Sequence, residues 1–283
     1  MDAAGTFQLG SRTVHRLGFG AMRICGPDIW GPPKDPAEAR RVLRRALELG
    51  VDLVDTADSY GPAVSEDLIA EALSPYPPRL VIATKGGLLR KHADDWSRDA
   101  RPAHLRQALA GTLKRLRVDR ITLYQLHAPD PKVPFEDSVG VLAEERAAGR
   151  IEHVGLSNVN VPQLVAARVI VPIVSVQNRY NLVDRTSEKV LQYCTEHGIG
   201  FLPWRPLATG TFASPGGSVA RIAEGHGATP AQVAIAWLLA RSPVMLPIPG
   251  TGSVAHLEEN CAAADLELTD AEMALLDRAG RTG

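Results

Sequence analysis

Two periodicities alternate along the chain. Short runs of β-branched and aliphatic residues recur at positions 17–20, 51–55, 80–84, 121–126, 151–156, 173–176, 200–203 and 244–248, each followed by a segment of helical period. This alternation predicts eight parallel strands joined by helical crossovers, because parallel neighbours cannot be linked by tight turns. The expected fold class is α/β, a (β/α)8 TIM barrel. Ahead of the first strand, residues 6–14 read as an N-terminal β-hairpin turning at Gly10-Ser11 and placed to plug the barrel floor.

Capping signals mark the helices. Asp35-Pro36-Ala37-Glu38 offers an N-cap acceptor, a Pro at the first helical position and a capping-box Glu, and Gly50 can end that helix in the left-handed region. Thr229-Pro230-Ala231-Gln232 and Thr269-Asp270-Ala271-Glu272 repeat the device. Leu105, Leu109, Leu113 and Leu116 form an apolar stripe among Arg106, Lys114, Arg115 and Arg117, as a helix packed outside a barrel requires.

No linker divides the sequence, so residues 1–283 are expected to form one domain, with polar stretches 90–102 and 209–217 as loops over the barrel mouth. A length of 283 residues suits a barrel, which needs roughly 250. The competing architecture, an open doubly wound sheet, lacks its glycine fingerprint: Gly18-Phe19-Gly20-Ala21-Met22-Arg23 ends in Arg.

Charge narrows the partners. Lys plus Arg total 31 against 32 for Asp plus Glu, a net charge of -1, which offers no field to gather nucleic acid. The longest clean apolar stretch, 233–240, is far short of the roughly 20 residues of a membrane span, so no membrane partner is expected. Cys25, Cys194 and Cys261 are odd in number and lack CxxC spacing, which fits a reducing cytoplasm better than a disulfide framework. The eight histidines show no HxxxH or HExxH spacing, and no catalytic metal is expected.

In a barrel, chemistry sits at the C-terminal ends of the strands. Asp55 ends the second run, Lys85 follows the third, His127 closes the fourth, Ser157-Asn158 the fifth, Gln177-Asn178 the sixth and Trp204-Arg205 the seventh, with Tyr60 just beyond Asp55. Each has a plain explanation alone: a capping Asp, a solvated Lys, a His bonded to a carbonyl, a Tyr acting as an amphipathic lid, a core Trp. Together they place an acid, a phenol, an ammonium and an imidazole on neighbouring strand ends.

These motifs resemble the aldo-keto reductase family from Phe7 to about Arg278. The blocks Asp55-Thr56-Ala57-Asp58-Ser59-Tyr60-Gly61, Thr84-Lys85, Leu123-Tyr124-Gln125-Leu126-His127-Ala128-Pro129, Gly155-Leu156-Ser157-Asn158, Gln177-Asn178 and Leu246-Pro247-Ile248-Pro249-Gly250-Thr251 match in order. The resemblance implies reduction of a small aldehyde or ketone by a nicotinamide cofactor. Tyr60 would be the general acid, Lys85 and Asp55 its electrostatic support, and His127 a donor to the substrate carbonyl. A phenol ordinarily near 10 would have to come down to about 7, worth roughly 4 kcal/mol. An ammonium about 4 Å away supplies on the order of 4 kcal/mol at an effective dielectric near 20, so Lys85 is expected to make Tyr60 acidic.

The resemblance also implies cofactor contacts. Ser157, Asn158 and Gln177 would read the nicotinamide carboxamide, with Met22, Asp55 and Ile248 nearby, and Trp204 would stack on the ring. Arg205, Pro206 and Leu207 would follow the pyrophosphate, Arg205 replacing a small hydroxyl residue with a phosphate partner. Glu259 and Asn260 match adenine contacts. Where many members grip the 2'-phosphate with Lys and Arg, this chain has Gly250 and His256, so the Gly250-Thr251-Gly252 backbone and a helix from Ser253 are the expected phosphate site. NADPH is the first choice of cofactor and NADH the second. Trp30, in residues 25–33 after the first strand, is expected to lie over the mouth and touch substrate with Tyr60 and His127. The sequence ends just after the last helix, without the long C-terminal loop of some relatives, and a shallow pocket is expected. The spacing of residues 25–33, with Phe7-Gln8-Leu9-Gly10 and residues 253–257, is similar to bacterial pyridoxal reductases and implies pyridoxal as a substrate.

Two other readings fit parts of the pattern. Lys85 could form a Schiff base in an aldolase-like barrel, which borohydride trapping would reveal. A cofactor-sensing subunit would bind nicotinamide yet show little turnover with generic aldehydes.

Overall fold

A computed structural model describes residues 2–207 and 217–279. The N-terminal hairpin pairs β1 (Thr6–Leu9) with β2 (Arg12–His15), register Thr6 to His15. Then follow β3 (Phe19–Gly20), α1 (Pro36–Glu48), β4 (Leu53–Asp55), α2 (Val64–Leu73) and β5 (Val81–Gly86). A two-stranded flap, β6 (Leu88–Leu89) and β7 (Ser97–Arg98), interrupts the expected loop before α3 (Pro102–Leu116). The remaining elements are β8 (Ile121–Leu126), α4 (Phe135–Ala147), β9 (Ile151–Ser157), α5 (Val161–Ile170), β10 (Ile173–Arg179), α6 (Glu188–His197), β11 (Gly200–Trp204), α7 (Ser218–Gly225), α8 (Pro230–Arg241), α9 (Val254–Ala262) and α10 (Asp270–Ala279). Apart from Gly217, the expected loop 209–217 lies outside the described residues.

Seven strands form one parallel sheet in the order β11-β10-β9-β8-β5-β4-β3. The expected eighth strand closes the ring without forming a regular ladder. On one side Phe201 N donates to Val244 O and Leu246 N to Phe201 O, both at 2.8 Å. On the other, Gly18 N donates to Pro247 O (2.9 Å) and Gly20 N to Pro249 O (3.4 Å). Pro247 and Pro249 have no N–H to return, so this seam of the (β/α)8 barrel is bonded in one direction only.

The core has two layers. Leu43, Leu105, Leu109, Leu142, Leu164 and Leu191 belong to the cluster in which the outer helices pack on the sheet. Leu53, Val81, Leu123, Leu202 and Leu246 fill the barrel interior together with Leu9 and Val14 of the hairpin. Leu53 and Val81 begin their strands, so the hairpin seals the N-terminal end, as its position in the sequence suggested.

The Asp35 carboxylate accepts from Glu38 N at 2.9 Å, with Pro36 next to it, and Gly50 adopts φ +90. Glu38 does not complete the expected box. Its carboxylate turns outward to Arg41 and to the backbone N–H of Val254 (3.2 Å). Reciprocal boxes close instead at Asn160/Gln163, Thr229/Gln232 and Thr269/Glu272. Among the described residues no helix is long and apolar enough to cross a membrane.

Candidate active site

Strands run further toward the rim than the apolar runs alone suggest. Lys85 lies inside β5 and Gln177 and Asn178 inside β10, so rigid backbone rather than loop aims these side chains. Lys85 is fully buried. Its Nζ donates to Asp55 Oδ2 at 2.7 Å and to Thr56 O at 2.7 Å, and reaches Tyr60 Oη at 3.4 Å. Asp55 Oδ1 accepts from Gln177 Nε2 (2.8 Å) and Gln125 Nε2 (3.3 Å), so both oxygens are held. The Tyr60 and His127 rings meet edge to face at 5.9 Å, and Ser59 Oγ lies 3.4 Å from His127 Nδ1. All four expected residues are therefore brought together.

Burial works against the charge on Lys85, but the Asp55 carboxylate, with Tyr60 assisting, overcomes it and holds the amine above its ordinary value. A lysine kept protonated is a poor nucleophile, which disfavours the Schiff-base reading. Burial drives His127 well below 6.5 and Lys85 pushes it further the same way, leaving a neutral imidazole.

Tyr60 corrects the sequence arithmetic. Burial raises its pKa above 10, Lys85 pulls it down and Asp55 pushes it up again, for a net upward direction. One ammonium is not enough here, because desolvation and the carboxylate behind that ammonium both oppose it. The phenol consequently stays protonated at neutral pH. It can still give its proton to an alkoxide, whose conjugate acid, an alcohol, is a far weaker acid than a phenol. What Lys85 contributes is a cation beside the phenolate that such a transfer leaves.

Tyr60 opens on a cleft of about 540 Å³, within the size range of small-molecule sites. Met22, Asp55, Gln177, Trp204, Arg205, Pro206, Leu207, Ile248, Gly250 and Glu259, for which the resemblance implied cofactor contacts, all line it. Ser157, Asn158, Thr251 and Asn260 are not among its lining residues. Ser157 Oγ donates to Gln177 O (2.8 Å), and Asn158 Nδ2 to His127 O (3.0 Å), while Asn158 Oδ1 accepts from Trp204 Nε1 (3.0 Å). Asn158 thus fixes the indole. Arg205 adopts φ +52, with Asn181 Nδ2 bonded to its carbonyl at 3.0 Å. Trp30 does not line the cleft. Its loop is tied to the Tyr60 turn by Gly31 N to Gly61 O (2.6 Å) and Gly61 N to Ile29 O (3.2 Å), while Arg90 Nη2 holds Asp28 O at 3.0 Å. Gly20, Arg23, Thr229, Pro230 and Ala231 also line the cleft and were not foreseen. The Thr229 cap could have suggested the last three only with knowledge that α8 begins beside Glu259, whose carboxylate accepts from Thr229 Oγ1 at 2.6 Å.

The expected backbone phosphate site is already engaged in part, since Ser253 N donates to Thr251 Oγ1 (3.1 Å) and Val254 N to Glu38. The cleft nevertheless fits a dinucleotide: it reaches from Tyr60 and Trp204 to Thr229 and Glu259, two arginines line it, and its floor at Gly20 and Gly250 is bare backbone.

Comparison with known proteins agrees with this geometry. The family model described as the Aldo/keto reductase family matches residues 16–281. An uncharacterised oxidoreductase of Schizosaccharomyces pombe is 48% identical over 99% of this chain and 91% of its own length. Pyridoxine 4-dehydrogenase of Escherichia coli is 42% identical over 99% of both chains. Among solved structures, a thermostable aldo-keto reductase in complex with epalrestat superposes with a TM-score of 0.86 at 32% identity, covering 97% of this chain and 98% of that one. An aldo/keto reductase from Klebsiella pneumoniae, solved with NADP and acetate, gives 0.82 at 26% identity, covering 96% and 94%. The chain belongs to the aldo/keto reductase family and is an NAD(P)H-dependent oxidoreductase acting on carbonyl compounds.

Proposed function

We propose that the protein reduces an aldehyde or ketone with NADPH, Tyr60 serving as the proton donor, and that pyridoxal is among its substrates. The observation that carries this reading is the Tyr60 hydroxyl at the cleft, 3.4 Å from an ammonium that is itself 2.7 Å from Asp55. When bound, the nicotinamide supplies hydride to the carbonyl carbon. As negative charge grows on the oxygen, the Tyr60 O–H transfers its proton there, and solvent later restores it. Lys85 stabilises the resulting phenolate, and the neutral His127 ring directs the carbonyl oxygen toward Tyr60. Trp204, locked by Asn158, offers a flat apolar wall against which a ring can lie. Met22, Gln177 and Ile248 would surround the nicotinamide, and Arg205 the pyrophosphate.

Two relatives support the finer choices. The Klebsiella enzyme was solved with NADP, and the 42% identical Escherichia coli relative is named for pyridoxine oxidation, the reverse of pyridoxal reduction. A screen of small aldehydes including pyridoxal, following NADPH absorbance, is expected to show turnover. Tyr60→Phe should lower that turnover by about 10²–10⁴-fold, the usual worth of general acid catalysis, and leave cofactor affinity nearly unchanged. Near-normal turnover in the variant would refute the role of Tyr60, and absence of turnover with every carbonyl alongside tight NADPH binding would favour the cofactor-sensing reading.

A further inference from the structure

The turn that carries Tyr60 is held from two directions. The barrel holds its start, Asp58 N donating to Lys85 O at 3.2 Å, and the loop of residues 25–33 holds its end. That loop folds back on itself, with Gly26 N donating to Gly31 O (2.9 Å), Ile29 N to Gly26 O (3.1 Å) and Trp30 N to Pro27 O (3.0 Å). It then pairs with the Tyr60 turn through Gly31 N to Gly61 O (2.6 Å) and Gly61 N to Ile29 O (3.2 Å), and Ile29 packs on the cluster of Cys25, Ala57 and Tyr60. The loop is strained. Asp28 and Ile29 are successive non-glycine residues in the left-handed region, at φ +55 and +61, and Ile is β-branched. Backbone in that state persists only where its surroundings hold it.

Arg90 supplies the grip. It follows β6 in the flap and is buried, 7% exposed, and its Nη2 donates to Asp28 O at 3.0 Å and to Ala93 O at 2.5 Å. The guanidinium carbon stands 3.8 Å from the centre of the Trp96 ring and 5.7 Å from that of Trp30, so one cation meets an indole of the flap and an indole of the loop. Its Nε and Nη1 are buried without a hydrogen-bond partner among the described residues. Such a guanidinium is a costly way to fill space, and an apolar side chain would do that better. The flap is itself fastened to the strands that carry the site. Arg98 Nη1 donates to Pro129 O (3.1 Å), just after His127, and Asp99 N to Gly87 O (3.1 Å), just after Lys85. Arg90 therefore ties the ends of the Lys85 and His127 strands to the turn that aims Tyr60.

We propose that Arg90 is a positioning residue for proton transfer: by pinning Asp28 to the flap it fixes the Gly61 end of the turn and so keeps the Tyr60 hydroxyl beside Lys85. The proposal rests on the reading of Tyr60 as proton donor. Aldehyde reduction by the whole protein tests it in wild type, Arg90→Ala, Arg90→Lys, Tyr60→Phe and the double variant, with amide hydrogen exchange followed in wild type and Arg90→Ala. Arg90→Ala is expected to lower kcat by about tenfold or more while NADPH affinity changes less than about twofold, and Arg90→Lys to recover part of the loss. In the Tyr60→Phe background the same alanine change should cost less than about twofold, because no hydroxyl is left to aim. The Gly31 and Gly61 amides should exchange about tenfold faster in Arg90→Ala, with those of β4 and β5 unchanged. Equal losses in the two backgrounds, a raised KM with kcat intact, or unchanged exchange at Gly31 and Gly61 would each overturn the proposal. If wild type reduces no carbonyl while Gly31 and Gly61 lose protection in Arg90→Ala, the proton-donor reading falls and takes the positioning role with it, leaving Arg90 a structural tie alone. Should Arg90→Ala fail to fold, Trp96→Leu removes one ring from the cation at a partly exposed site. It should give a smaller loss of kcat with the same dependence on Tyr60, and no loss there would count against the proposal.

Discussion

Asp52 and Asp55 stand at opposite ends of β4 and do different work. At the floor, Asp52 accepts from the His15 backbone N–H and pairs with the His15 ring, both at 2.8 Å, latching the hairpin plug to the barrel. Nearby, Arg12 closes a two-point fork on Glu152, and Ser11 N donates to His153. The floor groups thus use one another. At the rim, Asp55 is just as fully bonded, but the set ends in a Tyr60 hydroxyl whose interaction with Lys85 is long, at 3.4 Å, and which faces the cleft. The contrast teaches that buried charge alone does not mark a reactive site. What marks it is a charged network with one polar group still available.

The sharpest way to break this contrast is to remove the rim cation. Lys85→Ala leaves Asp55 buried without its ammonium. It should cost about 3–5 kcal/mol of stability, read from chemical denaturation, and about 10²–10⁴-fold in carbonyl reduction. A variant that kept both would show that the rim network is as dispensable as a surface pair. The matched change at the floor, Asp52→Asn, should cost about 1–3 kcal/mol while leaving turnover of the folded fraction within about twofold of wild type. Loss of turnover there would mean that the two ends of β4 are coupled. The smallest effect concerns pH. Since burial raises the Tyr60 pKa, its proton-bearing form persists through neutrality, and the arm of the reduction profile due to Tyr60 should fall only above about pH 10. A fall centred near pH 7 and abolished by Tyr60→Phe would restore the acidic phenol that simple charge arithmetic suggests.

Much of this molecule was legible in its residue pattern because the relevant information is local. The strands announce themselves as apolar runs, and polar side chains sit at the ends of those runs, so the cluster of Asp55, Tyr60, Lys85 and His127 could be found without knowing any tertiary contact. What was not legible depends on distant segments meeting. The eighth strand is bonded irregularly because Pro247 and Pro249 face β3, and the close approach of Gly20 to Gly250 appears only when the barrel closes. The direction of the Tyr60 pKa shift likewise required the burial and the full set of charges around it. Glu38 looked like a local cap, yet its carboxylate bonds the start of a helix far along the chain.

The one-way bonding between β3 and residues 247–249 has a mechanical consequence. Gly20 and Met22 border the cleft on one side of that joint, Ile248 and Gly250 on the other. A dinucleotide lying there would stitch together a meridian where the backbone fasteners all point one way. Loading the enzyme would then do more than fill a pocket: it would stiffen the hoop along that line, with the energy of ligand capture added to resistance against opening.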